Sequence, residues 1–87
     1  MTTLLVTYDL NSPGQKREKL LEAIKQYPWA KLSESSYAIR TTNTPKAIYD
    51  SFAALLDNND NLYVLTLTAP YWGRGPQDVN DWLAGNL

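Results

Sequence analysis

The chain has 87 residues and contains neither cysteine nor histidine. Thiolate or imidazole metal sites, disulfides, cysteine nucleophiles and a Ser-His-Asp relay are therefore excluded, leaving carboxylate, hydroxyl, amine and amide chemistry. A formal net charge of −1 and a pI near 5.1 argue against nucleic-acid binding through bulk positive charge.

The length fits one domain, residues 1–87, with a single modest core. No apolar run is long enough to span a bilayer, and Met1-Thr2-Thr3 lacks the basic start and apolar stretch of a signal peptide, so a cytoplasmic protein with no membrane partner is expected. The charge is uneven. Residues 1–43 carry six basic and four acidic side chains, residues 44–87 two and five.

Thr3–Asp9 is rich in β-branched and apolar residues and stops at Asn11-Ser12-Pro13-Gly14, which predicts a strand and a break. Ser12 then holds an N-cap position, with Pro13 at the first helical position and Gln15 placed for a capping box. Leu20, Leu21 and Ile24 give helical spacing, and the helix is expected to end near Tyr27-Pro28. Trp29–Ser33 and Ser36–Thr41 predict a hairpin turning at Glu34-Ser35. Thr44-Pro45 repeats the cap-then-proline signal, followed by the stripe Ile48, Phe52, Leu55 and Leu56 of a second helix, which stops at Asp57-Asn58-Asn59-Asp60. Asn61–Thr68 predicts a strand apolar on both faces, hence central or covered on two sides. After the loop Pro70–Pro76, Val79, Trp82 and Leu83 predict one or two turns of helix.

The order is βαββαβ plus a tail. It predicts an α+β, ferredoxin-like fold: a four-stranded antiparallel sheet, two helices on one face and a short C-terminal helical tail. The other sheet face would then be buried by a second copy or by the tail.

Asp9 ends the first strand immediately before a helix N-terminus. Such a carboxylate could hold Mg²⁺ or Mn²⁺, or it could only shape the turn through local backbone hydrogen bonds. One carboxylate is a poor metal site. Two copies related by a two-fold axis would present two, and a metal between them could activate water without histidine. Lys16, Arg17, Lys19 and Lys25 could contact phosphates, but Glu18 and Glu22 are interleaved and a solvated helix face is the preferred reading of the stretch. Tyr71-Trp72-Gly73-Arg74 suits base stacking or packing of the tail over the sheet, and packing is preferred because Trp82 and Leu83 need cover.

Val6-Thr7-Tyr8-Asp9-Leu10, Arg17, Leu20-Leu21 and Ser36-Tyr37-Ala38 resemble the small CRISPR-associated subunit of the spacer-integration complex, a ferredoxin-like homodimer described in parts of its family as a metal-dependent nuclease. The virulence-associated protein D toxins share this plan. Tyr8-Asp9-Leu10-Asn11 with Pro13-Gly14-Gln15 resembles small bacterial and phage proteins labelled SinR-like. The resemblance covers residues 3–68 in plan, and its specific part is about a dozen positions. It implies Asp9 as metal-binding and catalytic acid, Tyr8 and Asn11 as its neighbours, Arg17 as the basic residue of the first helix and Ser36 as the strand serine. The charged loop usual in that family is replaced by Ser12-Pro13-Gly14, and its crossing C-terminal strand by a helical tail. The expectation is a homodimeric Mg²⁺- or Mn²⁺-dependent endonuclease acting on RNA or DNA, with Asp9 at its centre and Arg17, Lys16 and Asn11 contacting nucleic acid. The alternative is a non-catalytic dimer binding nucleic acid or protein in a phage, plasmid or defence setting.

Overall fold

The computed structural model describes residues 1–11 and 14–87. Its elements are β1 (Thr2–Asp9), α1 (Gly14–Ile24), β2 (Trp29–Ser33), β3 (Ser36–Thr41), α2 (Pro45–Ala53), β4 (Asn61–Leu67) and α3 (Gln77–Asn86). The four strands form one antiparallel sheet in the order β2-β3-β1-β4. The Ser12 cap and Pro13 fall outside the described residues. Gly14 opens α1 at φ +28°, a region that glycine enters without the steric cost of a Cβ.

Strand alternation sorts the sheet into two faces. Leu4, Val6 and Tyr8 of β1 point to one of them, with Tyr37 and Ile39 of β3 alongside. Leu20 and Ile24 of α1 and Ile48 and Phe52 of α2 close over these residues to make the core. Tyr27 packs edge-on to Phe52, with ring centroids 6.4 Å apart. α2 begins as its sequence predicts, with the Thr44 hydroxyl accepting from the Ala47 N–H at 3.1 Å and Pro45 in the first turn. It ends at Ala53, so Leu55 and Leu56 lie in the turns beyond it. α1 likewise ends at Ile24, and Lys25–Tyr27 form turns before Pro28.

The opposite face carries Thr3, Leu5, Thr7 and Asp9 of β1, aligned with Arg40, Ala38 and Ser36 of β3 and with Leu67, Leu65, Tyr63 and Asn61 of β4. α3 packs against β2. On this face Ala30 and Ala38 are buried, and Thr3 and Arg40 both donate to the Asn86 carbonyl at the end of α3. The tail thus covers the β2/β3 half of the face. The β1/β4 half stays open, with Tyr63 65% and Leu65 47% exposed.

Two expectations are corrected. β4 is an edge strand, neither central nor covered on both faces, because both later strands pair on β1 and β4 takes its outer side. The tail helix has ten residues rather than one or two turns, since Leu83 finds a buried seat beside β2. Among the described residues, no helix is long and apolar enough to cross a membrane.

Candidate functional site

Asp9 is the last residue of β1, directly across from Asn61, at the end of the open face. Its side chain is exposed and joins no ion pair among the described residues. With Tyr8, Leu10, Arg17, Glu34 and Ser35 it lines a shallow groove of about 200 Å³. α1 brings Arg17 to this groove, and the β2–β3 turn brings Glu34. The Arg17 guanidinium lies 3.2 Å from Glu34, and Lys31 holds the other Glu34 oxygen at 3.0 Å. The Lys31 hydrogen bond, with a smaller contribution from Arg17, holds the Glu34 carboxyl below its ordinary range. The Tyr8 hydroxyl donates to the Glu34 carbonyl at 3.1 Å, anchoring the turn from within the sheet. Burial pushes the Tyr8 phenol up, with Tyr37 adding to the effect and Arg17 opposing it.

Asp9 and Arg17, both marked in the sequence, are therefore brought to one groove. Ser36 sits one step down the open face, its hydroxyl 3.0 Å from that of Thr7. Lys16 and the backbone of Asn11 are joined to the loop before β4. The Lys16 ammonium is 2.8 Å from both Asp57 and Asp60, and the Asn11 N–H donates to Asp60 at 2.8 Å. A phosphate at Lys16 would compete with two carboxylates already in place. The Asp57–Asp60 stretch reads in sequence as a helix stop, and nothing in its spacing announces a partner 41 to 44 residues away. Glu34 is likewise missed, because in sequence it is a turn residue and its proximity to Arg17 arises only when the β2–β3 turn folds beside α1.

Metal chemistry has a definite limit within one chain. No group of three or more His, Cys, Asp or Glu side chains converges among the described residues. Asp9 alone offers a single carboxylate, while Mg²⁺ takes one or two carboxylates with waters and phosphate oxygens. The donor type fits, and the second carboxylate would have to come from another copy.

The aromatic loop follows its expected packing in part. The Tyr71 hydroxyl donates to the Asn80 carbonyl at 3.2 Å, so Tyr71 is tied to α3. Trp72 is 102% exposed and packs on nothing. Trp82 is half-buried and Leu83 buried, so α3 obtains its cover without Trp72.

No family model and no curated protein matches the chain. The fold is similar to the crystal structure of a hypothetical protein, TT1823, from Thermus thermophilus, with a TM-score of 0.66 and 22% sequence identity over 86% of this chain and 94% of that one. At that identity the likeness establishes the shared fold.

Proposed function

We propose that this is a ferredoxin-like homodimer that binds nucleic-acid phosphodiesters in the Asp9–Arg17 groove and cleaves them with Mg²⁺ or Mn²⁺. The observation that carries this reading is the placement of Asp9: an exposed carboxylate lining the same groove as Arg17, at the end of a sheet face that the chain's own tail leaves half open. A second copy seated on that half would cover Tyr63 and Leu65 and set the two Asp9 carboxylates near one another. The paired carboxylates would hold the ion, which when bound supplies charge neutralisation at a phosphoryl oxygen and an activated water. Arg17 would orient the phosphate through its guanidinium, exchanging the exposed Glu34 for the substrate. The resemblance of Tyr8-Asp9-Leu10-Asn11, Arg17 and Ser36 to the integration-subunit and toxin superfamily supports the same assignment.

The test is cleavage of labelled single- and double-stranded RNA and DNA with Mg²⁺ or Mn²⁺. Wild type should cleave at least one substrate, Asp9→Ala should lose the activity, and Arg17→Ala should chiefly raise KM. Equal divalent-dependent cleavage by wild type and Asp9→Ala would remove Asp9 from the mechanism. The sparse donor set within one chain favours a second reading, a non-catalytic dimer that binds nucleic acid or protein. Binding by wild type with no cleavage under any divalent condition would decide for that reading.

A further inference from the structure

The two edges of the sheet are built differently. β2 contains Lys31, is irregular between Lys31 and Ser33, follows Pro28 and has α3 packed against it. Charge, bulge, proline and a covering helix are devices that keep a sheet edge from pairing with another chain. β4 has none of the first three. Asn61–Leu67 contains no charge and no proline, and its pairing with β1 runs from Asp9↔Asn61 to Thr3↔Leu67 without a register shift. Among the described residues its one neighbour in the sheet is β1, so its outer N–H and C=O groups form an unpaired, regular edge.

We propose that this edge pairs with β4 of a second copy, antiparallel about a two-fold axis at Val64, joining two four-stranded sheets into one. The edge is complementary to itself. That register sets Tyr63 opposite the partner's Leu65, the two most exposed apolar side chains of the strand, in an aromatic–aliphatic pair of the kind that stabilises adjacent strands. Lys46, Tyr49 and Asp50 of α2 line a groove alongside Leu62 and Val64. Lys46 and Asp50 lie 2.8 Å apart within their own helix. The two-fold axis runs α2 antiparallel to its copy, so each Lys46 is presented to the partner's Asp50. Opposite charges in this order suit a second copy, whereas a foreign strand would have to bring a matching pair of its own.

The contact is separate from the one that would join the Asp9 carboxylates and does not depend on the nuclease reading. Asn61 would lie opposite the partner's Leu67, leaving the two Asp9 positions about 20 Å apart along the strands.

Because the chain has no cysteine, single-cysteine variants report the register. Tyr63→Cys and Leu65→Cys proteins are oxidised mildly, alone and mixed, and light scattering gives the mass of untreated wild type. The expected result is a mass of at least two chains, with a disulfide-linked dimer formed about fivefold or more faster in the mixture than in either variant alone. Directly opposed residues are within disulfide reach, whereas like residues are two steps out of register. Lys46→Asp should raise the dimer dissociation constant several-fold, and Lys46→Asp with Asp50→Lys should restore it. A 9.8 kDa monomer at every concentration would overturn the proposal, as would a dimer whose mixed variants cross-link no faster than the separate ones. Loss or retention of cleavage by Asp9→Ala bears on neither outcome.

Discussion

The Lys16 ammonium lies 2.8 Å from the carboxylate of Asp60, whose side chain has no exposed surface. That carboxylate also accepts from the backbone N–H groups of Asn11 and Asp57, each at 2.8 Å. One buried charge, fully satisfied, thus fastens the start of α1 to the loop between α2 and β4. Removing a partner from such a group leaves the other with an unmet hydrogen bond in a site only partly open to water.

The clasp carries an acid signature. The Lys16 hydrogen bond first, and then the two backbone donors, hold the Asp60 carboxyl down to about 2 from its ordinary 3.8. A depressed carboxyl contributes stability above its unfolded value and loses it as pH falls toward the folded one. Wild type should therefore lose this contribution between roughly pH 4 and pH 2. Asp60→Asn should lower the urea midpoint at neutral pH and show a flatter decline across that window. Parallel acid curves for the two proteins would separate Asp60 from the stability of the loop.

Glu34 competes for Arg17 at the groove. Glu34→Gln removes the carboxylate 3.2 Å from the guanidinium, and an exposed pair of this kind is worth roughly a two- to fivefold change in an equilibrium. Affinity for a fluorescent oligonucleotide should rise by about that factor at low salt. Unchanged binding, measured by anisotropy, would mean that Arg17 does not meet the phosphate.

Arg40 ties the tail down. It donates to the Thr3 hydroxyl at 3.2 Å and, together with that hydroxyl, to the Asn86 carbonyl. Arg40→Ala should speed hydrogen exchange in α3 at least tenfold while leaving β1 and α2 protected, because the main core lies on the other sheet face. Uniform acceleration across the chain would show that α3 unfolds only with the whole domain.

Phe52 is almost wholly buried, against Tyr27 and the core face of the sheet. Phe52→Ala should cost about 3–5 kcal/mol of unfolding free energy, whereas Thr44→Ala, which removes only the α2 cap, should cost about 1 kcal/mol. Denaturant titration distinguishes the two.

The strands, both main helices and the hairpin are readable from the sequence because each carries its own local signal: alternation in Thr3–Asp9, a cap and proline at Thr44-Pro45, the apolar stripe through Ile48 and Phe52. The neighbours of each strand are not local information. Leu62, Val64, Tyr63 and Leu65 make β4 resemble a strand covered on both sides, yet its outer edge and half of its second face are bare. Apolar character specified the need for a partner and left the partner's identity open. The same holds at the groove. Asp9 and Arg17 stand out by residue type and position, whereas Glu34 acquires its role only through the meeting of the β2–β3 turn with α1. Lys16 has the composition of a phosphate ligand, and the distant Asp57 and Asp60 turn it into a fastening.

The bond from Thr3 to Asn86 brings the two ends of the described chain together at one end of the sheet. Asp9 lies at the other end of β1, about 20 Å away along the strand. β1 and α3 thus meet at a seam remote from the groove. A bulky substituent introduced at that seam would therefore loosen α3 from the sheet and leave Asp9 and Arg17 free.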